Sequence, residues 1–253
     1  MINNQMFLES FDIATDRYIL EKETEIQLML TESSADGETV LTKLIDFIIG
    51  FLEKINEKIE EAKVKFFDKM KKPVLIKKLQ AIKDAYGSEE MYKDVPNINR
   101  LERDVSNTVS VGAGVFRNLQ RAILSTSNRD ISNIAKDTKS VVDGINESEV
   151  NDEKKYKVGE LCRNSIEYVN NYPGSNITAL GKISKDTSNK LRVIRQRIRR
   201  GVTSTGFIYD GTSLTILHES VSKLLTTIRV IVKNYMKTRF DIINMLLRGY
   251  KVK

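Results

Sequence analysis

Apolar residues recur along this chain at helical spacing, and the longest such run lies within residues 40–70. Leu41, Ile45, Ile48, Leu52, Ile55, Ile59, Ala62 and Phe66 follow one another at alternating steps of four and three, the 3.5-residue period of a seam between helices. Leu44, Phe47, Phe51, Phe67 and Met70 widen the stripe on one flank, so the face is broader than a two-stranded zipper and suits a bundle. Asp46, Glu53, Lys54, Glu57, Lys58, Glu60, Glu61 and Lys65 occupy the other side and predict a solvated face. Only the six residues 47–52 separate Asp46 from Glu53, whereas crossing a bilayer takes about 20 apolar residues. No transmembrane segment is expected. A membrane-active amphipathic hairpin is the sharper alternative to a bundle core for this stretch.

The same repeat returns near the C-terminus. Leu214, Leu217, Val221, Leu224, Ile228, Ile231, Tyr235, Ile242 and Met245 keep heptad spacing, with Thr238 in register between Tyr235 and Ile242, and predict a long terminal helix over about 214–248. Leu41, Ile45, Ile48, Leu52, Ile55 and Ile59 in the first run, and Leu217, Val221, Leu224, Ile228 and Ile231 in the second, are the candidate helix-interface residues.

Shorter patterns fill the interval. Residues 1–32 predict an acidic helical segment with Phe7, Phe11, Tyr18, Ile19 and Ile26 as its apolar points. A loop over 33–37 leads to Thr39 as an N-cap, and Lys71, Lys72 and Pro73 end the organising helix at 40–72. A helix over 74–86 buries Leu75, Leu79 and Ile82 and stops at Gly87; residues 87–97 are a linker. From Ile98, the positions Leu101, Val105, Val109, Gly112, Phe116, Leu119 and Ile123 form another amphipathic helix. Gly112 and Gly114 inside it cost up to about 1 kcal/mol each relative to alanine, which predicts a purpose, either close helix approach or a kink. Residues 125–130 interrupt that helix, and Ile131, Ile134, Val141, Val142 and Ile145 restore a weaker face. A helix over 156–172 is stopped by Pro173 and Gly174, and the uncharged run 168–181 predicts a loop. Strand-type alternation is scarce. Phe207, Ile208 and Tyr209 before Asp210-Gly211 are the one β signal, a short hairpin near 203–217 that competes with the terminal helix for residues 213–217.

The fold class is therefore mainly all-α, an elongated helical bundle with coiled-coil-like helices. Its expected division is an acidic N-terminal part, 1–87, and a basic bundle, 98–253. Three prolines and no tryptophan in 253 residues, with 40% hydrophobic content, agree with long helices around a real core.

Chemistry-bearing residues are few. Cys162 is the single cysteine, without a companion for a disulfide or metal site, and is expected to be a small apolar filler. His218 is the single histidine, which removes histidine metal clusters and multi-histidine relays. Gly112-Ala113-Gly114 lacks the third glycine of a dinucleotide loop and the lysine and hydroxyl of a phosphate loop. Glu60 and Glu61 lie among lysines. Asn176-Ile177-Thr178 fits a glycosylation acceptor, but no export signal is visible at the start of the chain. No active site and no cofactor is expected, and the chain is read as non-enzymatic.

Charge changes the picture more than chemistry does. The net charge of +7 splits into −9 over residues 1–62, from 14 acids and 5 bases, and +16 over the rest, from 20 acids and 36 bases. Residues 63–83 carry eight lysines against Asp68, and 187–209 contain no acid. Lys190, Arg192, Arg195, Arg197, Arg199 and Arg200 form the most basic stretch, backed by Leu191, Ile194 and Ile198. Such a stretch contacts a phosphate backbone or docks on acidic protein, either this chain's own N-terminal part or a neighbour. Docking is favoured, because no aromatic residue between 190 and 200 can stack on bases and no motif places a helix in a groove.

The opening Met1-Ile2-Asn3-Asn4-Gln5-Met6-Phe7-Leu8-Glu9-Ser10, the acidic segment after it and the isoleucine-, phenylalanine- and lysine-rich run 41–72 resemble virion structural proteins of large tailed bacteriophages with AT-rich genomes. The resemblance covers roughly the first third of the chain. It implies a helical component of the head, neck or tail, or an internal head protein packaged beside the genome. It also implies synthesis in the host cytoplasm, a place in the virion and an oligomeric or larger assembly. Its partners would be other virion proteins or further copies of itself, with DNA reached only through non-specific phosphate contacts. The missing α/β shell pattern argues against a major capsid protein.

Overall fold

The computed structural model describes residues 4–31, 37–68, 71–124, 128–145, 152–199 and 211–251. These residues form eight helices: α1 (Asn4–Thr31), α2 (Gly37–Asp68), α3 (Lys72–Tyr86), α4 (Ile98–Leu124), α5 (Asn128–Asp143), α6 (Val158–Asn170), α7 (Ser175–Arg199) and α8 (Gly211–Gly249). Two strands of two residues, β1 (Val95–Pro96) and β2 (Glu153–Lys154), complete the set. The protein is mainly all-α, and α8 and α2, at 39 and 32 residues, are its longest helices.

Several boundaries differ from the sequence expectation. Helix α2 starts at Gly37, ahead of Thr39, and ends at Asp68. Lys72 and Pro73 open α3 instead of closing α2, because proline at the first turn of a helix loses no backbone hydrogen bond there. Residues 213–217, the return arm of the expected hairpin, belong to α8; residues 200–210 lie outside the described set. The β pairing is elsewhere and long-range, with Val95 opposite Lys154 and Pro96 opposite Glu153, and Glu90 bridging Lys157. Two-residue strands carry no alternation, so nothing in the local pattern announces them. The expected linker 87–97 is consequently tied down, with Met91 and Val95 buried. The uncharged run 168–181 holds two helix ends and a tight turn rather than a loop. Gly174 sits there at φ +100°, a region that side chains avoid, and α7 begins at the next residue.

Spatially the bundle is centred on α8. It packs against α1, α2, α3, α4, α5 and α6 and buries more than half of its own residues, the pattern of a helix with core on nearly every side. Helix α2 lies in contact with α1, α7 and α8. Ile45, Ile48, Leu52, Ile55 and Ile59 are buried, as are Leu217, Val221, Leu224, Ile228 and Ile231; the Leu41 side chain is outside the described set. Phe66 of α2 stacks on Phe240 of α8 with ring centroids 4.3 Å apart. The hydrophobic core draws on both the acidic and the basic part of the chain, and α3 from the first part packs on α6 from the second.

Close helix approach is not a steric requirement for the glycines of α4. A Cβ on Gly112 would reach Ile228 Cδ1 at 3.7 Å, an ordinary contact, and one on Gly114 would meet nothing within 4 Å. The tight backbone approach is at Gly159 instead, where a Cβ would lie 2.8 Å from the carbonyl oxygen of Gly87.

Candidate interaction surfaces

The basic stretch ends α7, whose inner residues Leu191 and Ile194 are buried because α7 lies along α2. That packing sets arginines spaced three apart on α7 over carboxylates spaced seven apart on α2. Arg195 pairs with Asp46 at 2.9 Å, each side chain about a third exposed, and Arg192 pairs with Glu53. Lys190 turns back to Asp186 on its own helix at 2.6 Å. The side chains of Arg197 and Arg199, and all of Arg200, are outside the described residues. Thus two of the six candidate cations dock on this chain's own acidic helix, and a third is paired within α7.

Helix α2 is accordingly less solvated than its sequence predicts. Lys58 is buried and donates to Glu61 Oε2 at 2.8 Å, and that hydrogen bond holds the Glu61 carboxyl below its usual range. Asp46 and Glu53 lie beneath the α7 arginines. Part of a face that is polar by pattern is covered here, because a helix in a bundle can have neighbours on more than one side, while Glu53, Glu57, Glu60 and Lys65 stay exposed as the pattern predicts.

Helix α1 is latched in the same way. Asp12 and Asp16 pair with Arg229 of α8, the Arg229 Nη1 to Asp12 Oδ1 distance being 3.5 Å, and Lys233 also reaches Asp12. Glu25 accepts from Lys22 and Lys43, and these two hydrogen bonds lower its pKa. Tyr18 lies between α1 and α2 and donates to the carbonyl of Asp46 or Phe47, 3.4 Å away in each case; burial pushes its phenol up to about 12. Partly exposed pairs of this kind contribute about 0–1 kcal/mol each, so their effect is orientation more than stability.

One polar constellation escaped the sequence reading. Arg239 of α8 is buried, pairs with Glu102 of α4, and lies 5.4 and 5.2 Å from the ring centroids of Tyr168 and Tyr235. These groups line a cleft together with Asn99, Asn164 and Asn171. Tyr168 Oη and Arg239 Nε have no hydrogen-bond partner among the described residues. The local signal was Arg239 four residues after Tyr235, one turn along the same face; the pairing to residue 102 is invisible without the fold. Asn176, the sequon asparagine, is engaged here too, donating to the carbonyl of Glu102 at 3.0 Å.

Among the described residues, no group of three His, Cys, Asp or Glu side chains is placed to hold a metal ion, and no helix is long and apolar enough to cross a membrane. Cys162 is buried, and desolvation raises its thiol pKa to about 11. Among the described residues, α1 and α3 are two of the helices that leave large apolar side chains exposed. The outward side of α1 carries Ile13, Leu20 and Leu28, which are 68%, 65% and 59% exposed. The outward side of α3 carries Pro73, Val74 and the partly buried Ile76 and Ala81 between Lys72, Lys77 and Lys78. No protein-family model, curated protein or solved structure matches the chain.

Proposed function

We propose that this protein is a non-catalytic structural component of a tailed-phage virion, working through helix-borne protein contacts. The observation that carries the reading is the docking of Arg192 and Arg195 on Glu53 and Asp46 of α2. Two of the six residues with the best claim to a polyanion pair with acids of α2 instead, and Asp12, Asp16, Asp46 and Glu53 of the acidic part serve to orient the chain's own helices. The apolar face that a membrane-inserting role would need is buried in the core. The virion setting rests on the resemblance of the N-terminal third.

A nucleic-acid role has one observation in its favour. Lys63, Lys65, Lys71, Lys77 and Lys78 are exposed around the α2–α3 junction, and such a cluster supports phosphate contact without base readout. Two measurements separate the readings. Mass spectrometry of purified phage particles should find the protein as a stoichiometric component. Gel shifts with Arg195, Arg197 and Arg199 replaced by glutamine should show DNA binding that is weak in the parent and unchanged in the variant. A steep fall of affinity with salt in the parent, flattened by the triple substitution while sedimentation stays the same, would overturn the structural reading in favour of DNA.

A further inference from the structure

We infer that the cleft between α4, α6, α7 and α8 binds an uncharged, hydroxyl-rich molecule about the size of one sugar ring. The inference is independent of the virion reading and rests on how the cleft is built. Its floor is Arg239, Tyr168 and Tyr235, which are only 7%, 3% and 3% exposed. One wall is bare backbone: Gly174 is buried, and a Cβ there would lie 2.7 Å from Tyr235 Oη. The rim is polar and reaches solvent, with Asn99, Asn171 and Ser175 exposed and Asn164 half-buried. The cleft volume is about 180 Å³, below the range of about 300–1,000 Å³ for pockets that take drug-sized ligands.

Two atoms of the floor point to a ligand. Tyr168 Oη and Arg239 Nε have no hydrogen-bond partner among the described residues, and buried polar groups are costly to leave unmatched. The rest of the guanidinium is engaged through Nη2, which pairs with Glu102 and lies 3.5 Å from Tyr235 Oη. Charge then selects the ligand. Glu102 and Glu167 set two carboxylates against one guanidinium around the cleft, so an anion meets repulsion at the rim and a cation meets Arg239 on the floor. An apolar molecule would cover the asparagines and phenols without matching them, at a desolvation cost. Hydroxyl groups both donate and accept, as do the side-chain amides of Asn99, Asn164 and Asn171 and the phenols of Tyr168 and Tyr235. A ring carrying several hydroxyls can therefore accept from Arg239 Nε and donate to the carboxylates in one pose.

The test uses the full chain and NMR titrations with D-glucose, D-galactose and N-acetyl-D-glucosamine, set against inorganic phosphate and methylammonium as charged probes. At least one sugar should bind with a Kd of about 1–3 mM, the affinity that ordinary per-atom binding gives a molecule of about a dozen heavy atoms. Tyr168→Phe deletes one oxygen and should weaken that binding about three- to tenfold. Its Tm should equal or exceed the parent's, because the deleted phenol has no partner in the fold among the described residues. At the rim, Asn164→Ala combined with Asn171→Ala should weaken binding about tenfold or more with the far-UV circular dichroism unchanged. Methyl glycosides of the bound sugar identify its source. Retained binding assigns the end of a glycan and lost binding a free sugar, and the site stands in either case. Three results overturn the inference. One is that none of the sugars binds even at about tenfold above the expected Kd. Another is that phosphate or methylammonium binds more tightly than every sugar and is weakened by the same variants. The third is sugar binding unchanged in both variants, with Tyr168→Phe melting below the parent or not.

Discussion

Replacing glycine by alanine should have opposite consequences at two helical positions. At Gly114, inside α4, a Cβ would meet nothing within 4 Å. The substitution therefore gains helix propensity without a steric cost, about 0.5–1 kcal/mol of stabilisation. At Gly159, in the first turn of α6, the added Cβ would sit 2.8 Å from the Gly87 carbonyl oxygen and 3.1 Å from its Cα. Both are backbone atoms that cannot rotate away. The favourable separation of carbon atoms is about 3.5–4.0 Å, so the end of α3 and the start of α6 must move apart by several tenths of an ångström. That movement stretches the bonds from Gly159 N–H to the Gly87 carbonyl, now 3.2 Å, and from Val158 N–H to the Glu89 carbonyl, now 2.9 Å. Overpacking of this kind costs about 1–3 kcal/mol, and a weakened hydrogen bond adds about 0.5–1.5. After a small propensity gain, the net loss is about 1–3 kcal/mol. In a chain of this size one kcal/mol moves Tm by about 2–4 °C. Calorimetry should therefore show Gly114→Ala melting about 1–4 °C above the parent and Gly159→Ala about 2–12 °C below it. A Gly159→Ala protein as stable as the parent would refute the close backbone approach, and a destabilised Gly114→Ala would restore a structural purpose to the α4 glycines.

Two further predictions concern the core and acid sensitivity. Ile48 and Leu224 are fully buried, so Ile48→Asp and Leu224→Asp should each cost several kcal/mol through an unpaired carboxylate in an apolar seam; denaturant midpoints equal to the parent's would show that these stripes are not core, and the exposed Glu57→Ala serves as the control. His218 is buried, desolvation lowers its pKa against smaller opposing effects from Glu23 and Glu219, and Nε2 has no partner among the described residues. The unfolded chain therefore binds this proton at higher pH than the folded one, so stability is fully present above about pH 6.5 and falls as the pH drops from there toward the folded value. Urea midpoints of the parent and His218→Gln should diverge on neutral-side stability versus mild acid, the variant losing less between about pH 7 and about pH 5.5; parallel profiles would refute a desolvated imidazole.

Helix identity was legible in the sequence wherever an apolar period persisted over many turns. In α2 and α8 each turn contributes large aliphatic residues to one side, and no prolines or β-type alternation interrupt them, so local preference and burial point the same way. The basic stretch that begins on α7 and the acids of α2 were likewise visible as charge, together with their tendency to meet. Which carboxylate faces which guanidinium was not. Asp46 and Arg195 are far apart along the chain, and only the packing of α7 on α2 sets their register. The same holds for Arg239 with Glu102 and for the strand pair joining residues 95–96 to 153–154. Periodicity identifies the side of a helix that is apolar, but it does not say how many neighbours that helix has. This is why Lys58 is buried on a face that looks solvated, and why Ile13 and Leu20 are exposed on a helix whose other side is core. It is also why α8, flanked by six helices, holds the centre that the apolar run of α2 had suggested for itself. Local spacing determines the helices; the competition among their faces for a limited interior is decided only when all of them pack together.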